Sequence, residues 1–456
     1  MSKIWIRETA EKTSKEVKLF GWIDSIRDHG KVVFADLRDR SGIVQLVGGE
    51  ELKKLGLEDV VEVKGKAVER KPGFINPRLE TGKIEIKVEK IKLLAKAKAL
   101  PFDIQTNGKE LSEEVRIKYR YLDLRRKRLR RNLQIRHQIG ALFRQLLGER
   151  GFWEVETPSL GRSTPEGARD FLVPSRLQPG CFYALPQSPQ QYKQLLMVAG
   201  VERYFQLATC FRDEDLRADR QFEFTQVDIE MSFMTRDEVL ELIEEVVTRV
   251  FEALGKKIVQ KPFPRISYQE AMEKYGSDSP DLRKKKRETG FAFAWVIDFP
   301  LFEKTATREI SPMHHPFTAP NPKDTSLLDK NPLRARSLQY DLVCNGMEVG
   351  GGSIRITDPV IQEKIFGILG HSKKELKDKF GHLLEAFSYG VPPHGGIALG
   401  LDRLVALSCE ESSIREVIAF PMTARGRTAV MEAPASVAAS QLKELGIKVI
   451  PFKRKK

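Results

Sequence analysis

Residues 211–226, FRDEDLRADRQFEFTQ, set Arg212, Glu214, Arg217, Arg220 and Glu223 among three phenylalanines before an apolar alternation resumes in TQVDIEMSF. Guanidinium groups grip phosphate oxygens in pairs, and carboxylates beside them can hold a metal ion or a cationic metabolite. A solvated hairpin tip would carry the same charges at little cost, so the rest of the chain has to decide. Further on, YDLVCNGMEVGGGSIR (340–355) embeds Asp341 and Glu348 in strand-like sequence, where an acid without a partner is unfavourable. Glu348 and Arg355 differ by seven, which in a regular strand points them to opposite faces. A glycine bulge within 350–352 is expected to re-aim one of them. In GVPPHGGIALGLDRLVAL (390–407) a glycine-rich strand runs into a helix start whose amides suit an anion. Arg403 sits in the first turn, against the helix polarity, and is better explained by a bound phosphate or a nearby acid.

Other stretches carry weaker signals, each with a plain alternative. ALPQSPQQYKQLL (184–196) places Gln187, Gln190 and Lys193 around a helix start, with Ser188 as N-cap and Pro189 as first helical residue. Gln190 and Lys193 share a helix face, which could equally be an exposed polar one. STPEGARDF (163–171) reads as a surface loop, or as a lid carrying Glu166. GFWEVETPSL (151–160) reads as a strand broken by Pro158, a packing feature when taken alone.

Such groups need a scaffold, and the hydrophobic pattern supplies one. The runs EVKLFGWIDSI, KVVFADLRD, GIVQLVG, DVVEVKGKAVE and KIEIKVEKIKLL alternate with near period two. Five strands in so short a segment predict a small barrel of the oligonucleotide-binding (OB) type over 1–103. The proline- and polar-rich ALPFDIQTNGKELSEE leads into a linker or hinge assigned to 104–130. Then the period turns helical: Ile135, Ile139, Leu142, Phe143 and Leu146 make one stripe, ending between Gly148 and Gly151. Alternating runs recur at 204–210, 222–233, 293–299, 339–345 and 347–356, with helices such as RDEVLELIEEVVTRVFEALG interspersed. Antiparallel strands carrying helices predict an α+β domain over 131–456.

At 456 residues, 41% hydrophobic and 31% charged, the chain has the make-up of a soluble protein of two or three domains. Its formal net charge of +14 favours a polyanionic partner. Cys181, Cys210, Cys344 and Cys409 form no CxxC pair and read as reduced core residues, against a disulfide frame or a zinc site. No apolar run reaches membrane-spanning length and the N-terminus has no signal-like region. A cytoplasmic location without a membrane partner is therefore expected.

In this order the motifs resemble the class II aminoacyl-tRNA synthetases, and among them the bacterial-type aspartyl family. ETP after the long helix is similar to motif 1, FRDEDLRADRQFEFTQ to motif 2 and GIALGLDRL to motif 3. STPEGARDF, QSPQQYKQLL, HHPFTAP and NGMEVGGGSIRI are similar to the aspartate-subgroup signatures. The likeness runs from FGWIDSIRD to MEAPASV, almost the whole chain.

The resemblance implies a class II catalytic domain and ATP-dependent activation of L-aspartate, followed by transfer to the 3′ end of tRNA(Asp). It assigns Arg212 to the α-phosphate, Glu214 and Phe224 to the adenine, and Arg403 to the other adenine face and the terminal phosphate. Gln221, Gly400, Leu401 and Asp402 complete the ATP site, and Arg212, Glu348 and Arg403 are the catalytic groups. Asp341 and Glu348 are the Mg2+ ligands it implies, two carboxylates completed by phosphate oxygens and water. Lys193 and Arg355 fall to the substrate's carboxylate side chain, with Glu166, Gln190 and Asp228 around its ammonium and His314 and His315 beside it. Left unpaired against asparagine, the two buried cations would cost several kcal/mol, a discrimination of about 10⁴-fold. In the barrel, Arg27, Gln45 and Glu85 match positions that contact anticodon bases, and Phe34 is the stacking platform unless it belongs to the core. His29 stands where members confined to the aspartate tRNA tend to have leucine, and it favours the relaxed type that also charges tRNA(Asn). A homodimer through the long helix and motif 1 is implied as well.

There is one departure from the family. Bacterial members carry a large insert between motifs 2 and 3, whereas here EKYGSDSPDLR passes through KKKRETGFAF to AWVIDFPLFE, a short connection near 278–292. The lysines at 284–286 read either as a solvated turn or as a compact electrostatic substitute. Two other readings stay open: an asparaginyl- or lysyl-tRNA synthetase, which shares the architecture, and a non-catalytic RNA-binding paralogue. A ligase amidating aspartate without tRNA is disfavoured by the barrel.

Overall fold

The structure, a computed structural model, describes residues 3–163, 168–284, 289–305, 309–370 and 372–450. The chain divides into two compact units, 1–106 and 107–456.

In the first unit, β1 (Glu16–Asp28), β2 (Val33–Arg38), β3 (Ile43–Gly48), β4 (Val60–Glu69) and β5 (Ile84–Ala95) close into a barrel in the order β1-β2-β3-β5-β4. Alternation is the cause. Val33, Ala35 and Leu37 of β2 and Val44 and Leu46 of β3 are fully buried, while Phe34, Asp36 and Gln45 between them face outward. All five expected strands are present, and Phe34 lies outside the barrel core.

The second unit opens with residues expected to be linker. Instead 113–123 forms two short helices, α1 (Glu113–Lys118) and α2 (Arg120–Asp123), and Arg116, Arg120 and Arg126 are buried. Arg120 donates to Asp123 at 3.0 Å and to the carbonyls of Arg415, Ile418 and Ala419 at 2.8–3.0 Å. Arginine-rich sequence reads as solvated when taken linearly. Here carbonyls and a buried carboxylate some 300 residues away or only three away satisfy the guanidinium.

The body of this unit is an eight-stranded sheet. Its strands are β6 (Trp153–Glu154), β7 (Arg203–Phe211), β8 (Glu223–Ser232), β9 (Arg265–Ser267), β10 (Phe293–Ile297), β11 (Gln339–Cys344), β12 (Met347–Ile354) and β13 (His394–Gly400). They lie in the order β9-β10-β11-β12-β13-β8-β7-β6, antiparallel except at the two edges. Helices α3 (Lys127–Gly148), α5 (Arg236–Ala253) and α6 (Leu401–Cys409) cover one face, and α4 (Gln190–Val198) lies against the other. The expected stripe on α3 does this packing: Ile139, Phe143 and Leu146 are buried, Ile135 and Leu142 partly so. Thr235 and Glu238 cap α5 reciprocally, which fixes where that helix begins. Along β8, Val227, Ile229 and Met231 enter the helix-covered core, so Gln226, Asp228 and Glu230 point to the opposite face.

Cys210, Cys344 and Cys409 are buried, whereas Cys181 is exposed and not a core residue. Among the described residues no helix is long and apolar enough to cross a membrane. Of the lysines at 284–286, Lys284 is exposed and the other two lie outside the described residues.

Candidate active site

On the sheet face away from the packed helices, two cavities of about 320 and 260 Å³ share Arg212, Glu214, Gln226, Glu348 and Ala398 in their walls. The larger is framed by the hairpin joining β7 to β8 and by the start of α6. Arg212 lies with its guanidinium 5.1 Å from the centroid of the Phe224 ring, and its buried Nε has no hydrogen-bond acceptor among the described residues. Arg403 reaches in from the first turn of α6. It donates to the Glu348 carbonyl at 2.8 Å and pairs with Asp219 at 3.2 Å and Glu348 at 3.5 Å. Nearby acids thus account for a cation at a helix N-terminus. Glu214 pairs with Arg220 at the hairpin tip.

Three of the expected ATP contacts have side chains engaged elsewhere. Leu401 belongs to the hydrophobic core. Asp402 is buried, accepting from the Thr225 amide at 2.8 Å and pairing with Arg136 of α3. Gln221 accepts from the Met422 amide at 3.0 Å and donates to the Arg220 carbonyl at 3.1 Å. Gly400, Asp402 and Gln221 still line the cavity, but the polar atoms of Asp402 and Gln221 already have partners in the protein.

The smaller cavity is lined by Gln190, Lys193, Asp228, His314, His315, Gly351 and Arg355 among others. Helix α4 starts at Gln190, with Pro189 in the N-cap position and the Ser188 hydroxyl accepting from the Gln190 amide at 3.3 Å. This is one residue later than the sequence suggests, and it still brings Gln190 and Lys193 onto the cavity face. Gln190 Nε2 is buried without a partner among the described residues. Lys193 pairs with Asp228 at 2.8 Å and Glu230 at 3.2 Å, and Arg355 donates to Glu230 twice, at 2.9 and 3.1 Å.

Glu230 is the residue the sequence reading missed. Its signal was present: Asp228 and Glu230 are two apart in an alternating strand, hence on one face. Gly396 opposite makes room for it, because a Cβ there would lie 2.1 Å from Glu230 Oε2. Lys193 and Arg355 are thus paired within the protein, and one carboxylate serves both. Burial alone would raise the Glu230 pKa, but Arg355 and Lys193 outweigh it and hold it at about 2. Asp228, by contrast, is pushed up, burial dominating over Lys193. His314 faces the open cavity and His315 is half-buried. For the half-buried His315, enclosure by protein first, and then the charge of Arg355, lowers the pKa well below the ordinary value. Glu166 lies outside the described residues.

The irregularity needed to bring Glu348 and Arg355 to one face exists, one step earlier than expected. Leu342 pairs with Gly350 and Val343 with Glu348, so Val349 is the extra residue, and the run of glycines stays regular. Asp341 and Glu348 converge over Gly351: a Cβ built there would lie 3.0 Å from Asp341 Oδ1 and 3.5 Å from Glu348 Oε1. Burial, and then repulsion from Glu348, pushes the Asp341 carboxyl well above its usual range. Two hard oxygen donors that repel each other fit a magnesium ion. Among the described residues no group of three or more metal-binding side chains occurs, so phosphate oxygens and water would have to complete the shell.

On the barrel, the outward faces of β1, β2, β3 and β5 carry a connected polar row. Asp36 accepts from Ser25 at 2.6 Å and from Arg27 at 3.0 and 3.1 Å; Arg27 reaches Gln45 at 3.4 Å, and Gln45 donates to Glu85 at 3.2 Å. Phe34 stands beside the row, with the exposed His29 ring edge-on at 5.6 Å. Asp36, which orients Arg27, is the member not anticipated.

The family described as tRNA synthetases class II (D, K and N) matches residues 112–424, and that described as OB-fold nucleic acid binding domain matches 17–94. Two bacterial relatives are each named Aspartate--tRNA(Asp/Asn) ligase. That of Dictyoglomus turgidum is 42% identical over 98% of this chain and 98% of its own. That of Natranaerobius thermophilus is 43% identical over 96% and 98%. The first alignment spans 579 positions against 456 residues here, so at least 123 positions of that relative have no counterpart in this chain. Asparaginyl-tRNA synthetase from Pyrococcus horikoshii, solved with asparaginyl-adenylate, is similar with a TM-score of 0.75 and 25% identity, over 93% of this chain and 98% of that one.

Proposed function

The chain belongs to the class II tRNA synthetases of the aspartate, lysine and asparagine group, and from that premise we propose that it activates L-aspartate with ATP and transfers it to tRNA(Asp) and tRNA(Asn). One observation carries this reading: the nucleotide cavity and the amino-acid cavity share a wall at Arg212 and Glu348. A phosphate gripped in one therefore meets a carboxylate held in the other.

The substrate's α-carboxylate attacks the α-phosphate in line and pyrophosphate leaves. Arg212, whose Nε has no acceptor among the described residues, neutralises the charge that builds on the α-phosphate oxygens, and Arg403 steadies the far end of the polyphosphate. Little proton transfer is required, so positioning and charge stabilisation supply the catalysis. Asp341 and Glu348 would hold Mg2+, which when bound offsets the charge of the polyphosphate. His314 and His315 lie beside the substrate in the wall of the smaller cavity. Gln190 and Asp228 receive the ammonium, whose arrival favours the ionised form of Asp228.

Selectivity for an acidic side chain follows from the shared carboxylate. With Asp228 taken by the substrate's ammonium, Glu230 is the one carboxylate left to offset Lys193 and Arg355, a positive surplus facing the cavity that aspartate neutralises and asparagine does not. The barrel row binds anticodon bases, with Phe34 as stacking surface and Arg27, Gln45 and Glu85 offering edge contacts; His29 fits the relaxed type named in the relatives. Trp153 on the edge strand β6 and Leu160 further along are both exposed, apolar surface that a second copy of the chain would cover in a homodimer. A cytoplasmic location fits this reaction.

The test is ATP–pyrophosphate exchange with aspartate, asparagine and lysine in turn, followed by charging of both purified tRNAs. Exchange with aspartate alone and charging of both tRNAs is the expected result. Exchange driven by asparagine or lysine would overturn the substrate, and charging of tRNA(Asp) alone would overturn the role given to His29.

A further inference from the structure

The turn at 217–220, the outer tip of the β7–β8 hairpin, bounds the nucleotide cavity through Asp219 and Arg220. It is held from outside by a segment that the reaction does not otherwise use. The Ile414 amide and the Ser413 hydroxyl donate to the Ala218 carbonyl at 2.9 and 3.0 Å, and Arg415 donates to the Arg217 carbonyl at 3.1 Å. Ile414 itself is buried and lines the cavity. Arg415 has a second partner, Glu113, in the first turn of α1. The neighbouring Glu416 ties the same segment to Arg116 of α1 and to Arg128 of α3. Residues 413–416 thus fasten the helices at 113–148 to the lip of the nucleotide cavity.

We infer that Arg415 is a positioning residue for ATP, holding the 217–220 turn over the nucleotide while Glu113 holds Arg415. A turn has few contacts of its own, and an arginine that donates to its carbonyl and is itself fixed by a carboxylate restricts its excursions. The substrate amino acid is bound on α4, β8 and β12, away from this tether, so its binding is left unchanged. The inference rests on the adenylate-forming reading of the two cavities.

Arg415→Met is expected to raise the KM for ATP in aspartate-dependent exchange about tenfold, with kcat and the KM for aspartate within about twofold. Glu113→Gln, a milder change, is expected to raise it about threefold, and the double variant no further than Arg415→Met alone. Arg415→Lys, which keeps the pair with Glu113, is expected to fall between Arg415→Met and the unaltered protein. An unchanged KM for ATP in Arg415→Met overturns the inference. So does a parallel loss in kcat, both KM values and melting temperature, the mark of a merely structural residue. If the unaltered protein shows no exchange, the adenylate reading fails by itself. Calorimetric titration with ATP then still decides whether Arg415→Met weakens nucleotide binding.

Discussion

Two rows of alternating charge serve the two units, and they differ in burial. In the catalytic unit Lys193, Asp228, Glu230 and Arg355 are at most 4% exposed. On the barrel, Arg27 keeps 46% of its side chain in solvent while paired to Asp36. The buried row cannot exchange partners without leaving a charge bare, so it holds one geometry and rejects a ligand of the wrong charge. The exposed row can change partners at little cost, since water and salt screen each charge as it moves, which suits the anticodon contacts proposed for it. One row is fixed in its geometry and the other is free to re-pair.

The sharpest way to break this contrast is Glu230→Gln. With the shared carboxylate gone, Lys193 and Arg355 lose their common partner, and aspartate-dependent exchange is expected to fall about 10³-fold or more. Arg355→Leu makes the reverse cut, and since either change leaves a buried charge without its main partner, at roughly 3–5 kcal/mol of stability, thermal melting of both variants separates loss of fold from loss of binding. Near-normal exchange in a folded Glu230→Gln protein would show that the buried row is scaffolding only.

Asp341→Asn is expected to lower exchange about 100-fold and to raise the Mg2+ concentration for half-maximal rate. An unaltered Mg2+ dependence removes Asp341 from the metal site. On the barrel, Phe34→Ala is expected to reduce tRNA charging efficiency about 5- to 100-fold, the equivalent of one stacked base, with exchange untouched. Equal losses in both assays would mean that Phe34 supports the fold. Raising salt sharpens the comparison further: the KM for tRNA is expected to climb steeply while the KM for aspartate stays within about twofold.

The smallest effect concerns pH. His315 titrates below its ordinary value because it is enclosed and faces Arg355. Its neutral form is favoured in the folded state, so the stability it contributes is present above the unfolded value of 6.5 and is lost as pH falls towards its folded pKa. The loss is at most about 1.4 kcal/mol per pH unit. His315→Gln is expected to shrink the drop in melting temperature between about pH 7 and pH 5. A drop of the same size in the variant would assign the acid sensitivity to other groups.

The barrel was legible because each strand is a local alternation, and the catalytic strands because their period differs from that of the helices between them. Less was legible where a residue belongs to a motif but its side chain turns away. Leu401 and Asp402 follow Gly400 at the nucleotide cavity, yet one fills the core and the other pairs with Arg136. The bulge needed near Glu348 could be deduced from parity, but strand pairing put it at Val349 and not among the glycines. The supposed linker held buried arginines, and two of them find partners out of reach of any local pattern: Arg120 the carbonyls of Arg415, Ile418 and Ala419, and Arg116 the carboxylate of Glu416.

The order of amino acids determined periodicities, element boundaries and the chemical groups available: guanidiniums for phosphate, paired carboxylates for a cation, an aromatic on an outward strand face. Which charge meets which was decided only by the packed chain. Arg355 and Glu230 are 125 residues apart, and the attraction between them becomes strong only after folding has closed that separation and removed the water between them.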